Sequence, residues 1–186
     1  MTDNTKAGQA ELYALLEANG TAYAHHTHPP LFTVEESQAL RGELPGGHVK
    51  NMFMKDKKGA IWLATCLEHR QIRIRDLEKE VGAKCLSFGK AELLWEVLGV
   101  LPGAVTPFGL LNDREAHRVN VALDIQMLEH DPLNFHPLHN EATTAISKTG
   151  FLKFLTLTGH TPVMVDFERL EAQERARRAA QEQGQQ

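Results

Sequence analysis

The stretch at residues 46–54, GGHVKNMFM, constrains the fold most, because a glycine pair opens into a short apolar segment that carries a lysine. Read as a strand, it places Val49, Asn51 and Phe53 on one face and Lys50 with two methionines on the other. A lysine on a half-buried face either extends its ammonium to water or meets an anion or ligand in a cleft. The stretch alone favours the water-facing lysine, and later segments shift the balance toward a cleft.

The segments around this stretch predict an antiparallel hairpin within a mixed α/β domain. Residues 60–66, AIWLATC, are nearly all apolar and follow a turn at 56–59, so they indicate a central strand paired with the lysine strand. Periodicity and glycine stops predict helices at 7–19, 76–81, 91–98 and 148–158 and strands at 21–26, 119–124 and 162–166. Because strands and short helices interleave irregularly, we expect a single α/β domain with one mixed sheet.

Composition divides the chain after Phe167. Residues 1–167 form the predicted domain, and residues 168–186 form a polar tail that we expect to be partly helical or disordered. Within the domain, Thr33 as N-cap and Glu36 in a capping box predict a short helix reaching about residue 41. Prolines and glycines on both sides make that helix a candidate mobile flap beside Lys50.

Charge and hydropathy exclude several classes of protein. The 186 residues carry a formal net charge of −4, which argues against sequence-blind binding of DNA or RNA through a broad basic surface. No apolar run approaches the roughly 20 residues of a membrane helix, and no secretory signal pattern is present, so we expect a cytoplasmic protein with no membrane partner. Cys66 and Cys85 lack CxxC spacing, which predicts reduced, buried thiols. The basic cluster of Arg70, Arg73 and Arg75 is interpreted as a solvated face, with a phosphate contact as the alternative.

The familiar catalytic motifs are missing from the sequence, which contains no GxGxxG, GxxxxGK[ST], GxSxG or HExxH. His25, His26 and His28 lack the spacing of metal ligands, so neither a metal nor a cofactor is expected. The remaining polar residues can position and polarise a substrate but include no obvious nucleophile: Lys50, Asn51, His136, Asn140 and the loop at 103–107. If a reaction occurs, we expect water to attack a substrate that brings its own activating hydroxyl or labile bond.

In order and spacing, these residues resemble the prolyl-tRNA editing superfamily built on the YbaK-like domain, over about residues 8–167. The resemblance rests on the lysine strand, its hairpin, the GxxxP loop at 103–107 and the segment NFHPLHN at 134–140. It implies a curved mixed sheet, Lys50 as the essential lysine and His136 as the pocket histidine. The substrate-binding residues that it implies are Asn51, Gly103, Ala104, Val105, Thr106, Pro107 and Asn140.

The resemblance is strongest to the free-standing branch of this superfamily, which implies a trans-editing hydrolase acting on mischarged Ala-tRNA(Pro). Such a second site is needed because a pocket built for proline rejects the smaller alanine by only about 1–3 kcal/mol. The implied reaction releases alanine and free tRNA by water attack, assisted by the terminal ribose hydroxyl. The expected partner is the acceptor end of tRNA(Pro) carrying alanine, with prolyl-tRNA synthetase as a further candidate. The alternatives are a Cys-tRNA(Pro) deacylase of the same fold and a non-catalytic module that binds aminoacyl-tRNA or a synthetase.

Overall fold

One mixed sheet of eight strands runs through the part of the chain that the computed structural model describes, residues 6–30 and 44–183. The strands are β1 (Tyr23–Thr27), β2 (Gly47–Lys55), β3 (Ile61–Leu67), β4 (Ser87–Phe88), β5 (Val119–Asp124), β6 (Leu133–Phe135), β7 (Ala142–Ile146) and β8 (Val163–Val165). Their order is β1-β7-β6-β2-β3-β5-β8, with β4 attached to β2. The pairs β2/β6, β3/β5 and β5/β8 are parallel and the others antiparallel. The predicted single α/β domain with a mixed sheet is therefore confirmed.

The predicted hairpin stands at the centre of the sheet. Lys50 of β2 lies opposite Cys66 of β3, and Asn51 lies opposite Thr65. In the turn between the strands, Asp56 Oδ1 accepts hydrogen bonds from the amides of residues 58 and 60, both at 2.8 Å. All seven residues of β3 are buried, as its apolar sequence requires of a central strand.

Five helices and two short 3₁₀ helices are present within the described ranges. The helices are α1 (Gln9–Ala18), α2 (Ile74–Val81), α3 (Ala91–Leu98), α4 (Lys148–Leu157) and α5 (Phe167–Gln183), and the 3₁₀ helices are Pro107–Asn112 and Gln126–Glu129. Gly82 and Gly99 end α2 and α3 in the left-handed conformation that glycine adopts at least cost. The Ser147 hydroxyl caps α4 by accepting from the Gly150 amide at 3.0 Å. The two helix ends at glycine and the helix start at Ser147 agree with the signals of the sequence.

The hairpin carries a hydrophobic cluster on each face. Phe53 and Leu63 belong to the larger cluster, which also contains Phe108 and Phe135. Met54, Trp62 and Cys66 belong to the smaller cluster, to which the start of α5 contributes two further buried residues, Phe167 and Leu170. Because adjacent strand residues point to opposite faces, Lys50 lies on the face of the smaller cluster and Asn51 on the face of the larger one.

One edge of β2 is shared by two other strands. Near its start, Gly47 and His48 pair with β6, and near its end Met54 and Lys55 pair with β4. No described strand pairs with residues 49–52 on that edge. Within the described ranges the sheet is therefore interrupted beside Lys50 and Asn51.

Two predictions are not settled by these elements. The short helix predicted from Thr33 and Glu36 lies outside the described residues. The division of the chain after residue 167 stays a prediction, although α5 is described as far as Gln183.

Among the described helices, none combines the length and the hydropathy needed to cross a membrane.

Candidate functional site

Lys50 lies in the middle of β2 and is half-buried. Its ammonium donates a hydrogen bond to the backbone carbonyl of Arg70, a residue in the segment that follows β3. This contact argues against a lysine that simply extends to water. Among the described residues this is the one hydrogen bond of the ammonium, and since an ammonium has three donors, two remain for other partners.

Asn51 fastens the loop at 103–107 to the sheet. Its Nδ2 donates to the Val105 carbonyl at 2.9 Å, and its Oδ1 accepts from the Thr65 hydroxyl at 2.8 Å. Both ends of the carboxamide are thus engaged inside the protein. The structure brings the predicted residues Asn51 and Val105 into direct contact, with Asn51 holding the loop in place.

The loop at 103–107 is stiffened from both ends. Gly103 has φ +90° in a turn closed by the bond from the Ala104 amide to the Leu101 carbonyl at 3.0 Å, which is the geometry that favours glycine. At the other end, the Thr106 hydroxyl accepts from the Phe108 amide at 3.3 Å and Pro107 begins the 3₁₀ helix. Ala104, Thr106 and Pro107 are buried, whereas Gly103 is exposed. A loop fixed in this way can form an unyielding wall.

His136 and Asn140 lie on the connection between β6 and β7. The His136 Nδ1–H donates to the Ala142 carbonyl at 3.2 Å. His136 and Asn140 are both half-buried. The parallel pairing of β2 with β6 joins Gly47 to Leu133 and His48 to Asn134, and this pairing does not extend to Lys50 or His136. Strand β6 ends at Phe135, so His136 is the first residue of the connection to β7.

A group of polar side chains next to this connection was not anticipated from the sequence. The Tyr13 hydroxyl lies 2.7 Å from both His25 Nδ1 and the Thr144 hydroxyl. The ring of His28 stands edge-on to that of His136, with centroids 6.4 Å apart. Burial lowers the pKa of His139, and His25 and His28 lower it as well, although the nearby Glu141 raises it. A neutral His139 imidazole is therefore favoured at pH 7.

The two cysteines differ in exposure. Cys66 is fully buried, and burial raises the pKa of its thiol to about 12, so it is an inert thiol and not a nucleophile. Cys85 is exposed, and the expectation that both thiols are buried is wrong for it. Its backbone has φ +55° in the short segment between α2 and β4. No group of three potential metal ligands exists among the described residues.

The interpretation of Arg70 as part of a solvated face is wrong. Its side chain is only 7% exposed and lies against Asp124, which is fully buried, with Nε to Oδ2 at 3.4 Å. A second carboxylate, Glu171 of α5, lies 3.3 Å from Arg70 Nη1. Asp124 ends an apolar strand and Arg70 follows the neighbouring parallel strand, so the two share one edge of the sheet. The order of the strands could have indicated the contact between Arg70 and Asp124. The contact with Glu171 could not be found from sequence spacing, because Glu171 lies about 100 residues further along the chain.

A groove of about 340 Å³ lies between α5 and the segment at 71–73. It is lined by charged and polar residues and one isoleucine, namely Gln71, Ile72, Arg73, Glu171, Glu174, Arg175 and Arg178. None of the predicted site residues lines it. One lining residue, Gln71, directly follows Arg70, and the Arg70 carbonyl accepts the hydrogen bond from the Lys50 ammonium.

Comparison with solved structures first defines the class of fold. A candidate trans-editing enzyme for prolyl-tRNA synthetase superposes with a TM-score of 0.63 at 19% identity, covering 87% of this chain and 98% of the other. Identity at that level relates the two folds only.

Comparison of sequences then defines the family. The model of the aminoacyl-tRNA editing domain matches residues 28–154. The cattle (Bos taurus) prolyl-tRNA synthetase associated domain-containing protein 1 is 41% identical over 169 residues, which cover 86% of this chain and 98% of the relative. The prolyl-tRNA editing protein ProX of Acetoanaerobium sticklandii is 33% identical over 135 residues, 72% of this chain and 82% of the relative. The chain belongs to the aminoacyl-tRNA editing domain family.

Proposed function

We propose that this protein is a trans-editing hydrolase that deacylates mischarged Ala-tRNA(Pro). The observation that carries the proposal is the bond from Asn51 to Val105, which fixes the loop at 103–107 against the strand of Lys50. Membership of the editing family supplies the reaction class, and the prolyl-tRNA names of its relatives support tRNA(Pro) as the substrate. Prolyl-tRNA synthetase is a further partner in this proposal, and translation places the reaction in the cytoplasm.

The reaction in this proposal is ester hydrolysis by water. The water oxygen bonds to the alanyl carbonyl carbon, the bond from that carbon to the ribose oxygen breaks, and the ribose oxygen takes up a proton. The buried Cys66 thiol does not serve as a nucleophile, and the vicinal ribose hydroxyl assists the attack instead. Lys50 uses its remaining donors on the ester carbonyl or the terminal phosphate, and His136 orients the reacting ester.

Selection by size follows from the stiffness of the loop. Ala104 and Thr106 are almost completely buried, so the wall they support cannot retreat without disturbing packed atoms. Alanine fits against such a wall, while the proline ring overlaps it, and overpacking costs about 1–3 kcal/mol. The proposed roles of Gly103 and Pro107 are to shape this wall, and that of Asn140 is to contact the substrate.

The test is a deacylation assay with the purified protein and Ala-tRNA(Pro). Release of alanine above the spontaneous rate, lost in Lys50→Ala, supports the proposal. Faster release from Cys-tRNA(Pro) than from Ala-tRNA(Pro) assigns the protein to the cysteine-specific alternative. Binding of Ala-tRNA(Pro) without release assigns it to the non-catalytic alternative. Equal rates with a terminal 2′-deoxyadenosine contradict assistance by the ribose hydroxyl.

A further inference from the structure

A single peptide group connects Lys50 with α5. The Lys50 ammonium donates to the carbonyl of Arg70, and the amide of the next residue, Gln71, donates to Glu171 Oε1 at 3.1 Å. That carbonyl and that amide belong to one planar trans peptide, so they point in opposite directions. A cation therefore contacts one end of the peptide and a carboxylate contacts the other.

This arrangement strengthens the contact that holds the lysine. Hydrogen bonds in a chain polarise one another, so a carboxylate on the amide end makes the carbonyl a better acceptor. The carbonyl direction is fixed as well, because the peptide cannot rotate without losing the Glu171 bond. The position of Lys50 is thus set partly by Glu171, which is distant in sequence.

Glu171 itself is held firmly. Its Oε2 lies 3.3 Å from Arg70 Nη1, and its side chain is only 14% exposed. The hydrogen bonds from Gln71 and Arg70 lower the pKa of Glu171 even though burial, the largest influence, raises it. The carboxylate is therefore charged at neutral pH.

The segment that carries the Arg70 carbonyl is anchored on its other side by Asp124. The fully buried Asp124 Oδ2 accepts from the Leu67 amide at 3.2 Å and from Arg70 Nε at 3.4 Å. The sheet and α5 thus clamp residues 67–71 between two carboxylates. Of these two, Asp124 lies within the residues that match the family model, and Glu171 lies beyond them.

We propose that Glu171 is a positioning residue for Lys50, and that α5 thereby completes the catalytic site. The proposal rests on the proposed function for the meaning of the lysine, but the geometry it describes exists without substrate. In this proposal Glu171 acts on Lys50 through the Arg70–Gln71 peptide.

The experiment compares Glu171→Ala with Glu174→Ala, a matched control on the same helix. Glu174 also binds arginines, with Arg73 Nη1 at 2.8 Å and Arg178 Nε at 2.9 Å, but it contacts no atom of the Arg70–Gln71 peptide. In protein labelled with ¹⁵N at lysine, the ammonium signal of Lys50 is identified by its loss in Lys50→Arg. Deacylation rates and melting temperatures are measured on the same samples.

We expect Glu171→Ala to broaden or shift the Lys50 ammonium signal and to lower kcat at least about tenfold with little change in KM, since displacement of a catalytic group by about 1 Å can cost 10²-fold. Glu174→Ala should leave the signal in place and kcat within about threefold. If Glu171→Ala melts too low to be studied, Glu171→Gln, which keeps the volume and removes the charge, should change the signal in the same direction.

An unchanged Lys50 signal in both Glu171 variants overturns the proposal, as does an equal loss of activity in Glu171→Ala and Glu174→Ala. The ammonium signal needs no substrate, so it separates the two ideas. A parent protein that does not cleave Ala-tRNA(Pro) while its Lys50 signal depends on Glu171 contradicts the proposed function and supports the positioning role.

Discussion

Asn51 Nδ2 lies 2.9 Å from the Val105 carbonyl oxygen, and this bond joins the lysine strand to a loop more than fifty residues away. The neighbouring Lys50 points to the other face of the strand. One strand therefore carries an ammonium on one face and the anchor of the loop at 103–107 on the other.

Replacing Lys50 by alanine should abolish deacylation without unfolding the protein. The loss should reach at least about a hundredfold in kcat, the scale of removing one donor that stabilises charge in the transition state. Lys55→Ala, on the exposed end of the same strand, is the matched control and should stay near the parent. Activity of Lys50→Ala within about threefold of the parent would show a lysine with no role in the reaction.

Replacing Asn51 by alanine should weaken selection between amino acids more than it weakens the fold. The loop loses its anchor, at a cost of about 1 kcal/mol in the free energy of unfolding, and the wall can then yield to the proline ring. Asn120→Ala removes a similar bond, from Asn120 Nδ2 to the Ile61 carbonyl at 3.0 Å, and serves as control. The ratio of Ala to Pro ester hydrolysis should fall only in Asn51→Ala. An unchanged ratio would mean that the loop needs no anchor at this point.

Replacing His136 by alanine should lower kcat at least about tenfold, at the weak end of what a positioned histidine contributes. Its melting temperature should change little, since His136 is only half-buried. The control is His117→Asn, because the His117 ring also lies 3.2 Å from a backbone carbonyl, that of Thr158. Asparagine replaces alanine at this position because His117 has φ +48°, a conformation that asparagine tolerates. A large loss of stability with normal turnover per folded molecule would assign His136 to the core instead.

The buried pair of Asp113 and His160 should make stability depend on pH at the acid end. Burial, the largest influence, raises the pKa of Asp113, but hydrogen bonds from His160 and from the Val119 and Arg118 amides lower it overall, below its ordinary 3.8. A carboxylate whose pKa is depressed on folding stabilises the protein above its unfolded-state pKa, and that stability is lost as the pH falls through the folded-state value.

Urea unfolding from about pH 6 to about pH 3 measures this contribution. The Asp113→Asn variant should be less stable than the parent at the upper end, and the difference should shrink toward the lower end. Glu115→Gln, at a carboxylate that is 92% exposed, is the control and should follow the parent. A difference between Asp113→Asn and the parent that stays constant across this range would contradict the assignment.

Much of the fold could be predicted from local signals. The hairpin follows from apolar strands around a turn, and α2 and α3 follow from periodicity ended by Gly82 and Gly99. Strand β6 was missed because Leu133–Phe135 is too short to show alternation. The 3₁₀ helix at Pro107–Asn112 was missed because Pro107 and Gly109 in its sequence indicate only a loop.

The site was less predictable, because its supports are distant in sequence. Lys50, His136 and the loop were candidates from the sequence itself, but their roles came from the resemblance to a family and stay predictions. The sequence pattern around Arg70 indicated a solvated face, yet its charge is buried against Asp124 of a neighbouring strand. No spacing rule links Glu171 to Gln71, since the two meet only when α5 docks onto the sheet.

The measurement that tests the central claim most directly is the first-order hydrolysis rate of Ala, Cys and Pro esters on one tRNA(Pro). We predict that the Ala ester is cleaved fastest and at least about tenfold faster than the Pro ester, because the proline ring overpacks the wall supported by Ala104 and Thr106. Comparable rates for the Ala and Pro esters would contradict selection by the loop at 103–107 and, with it, the proposed editing function.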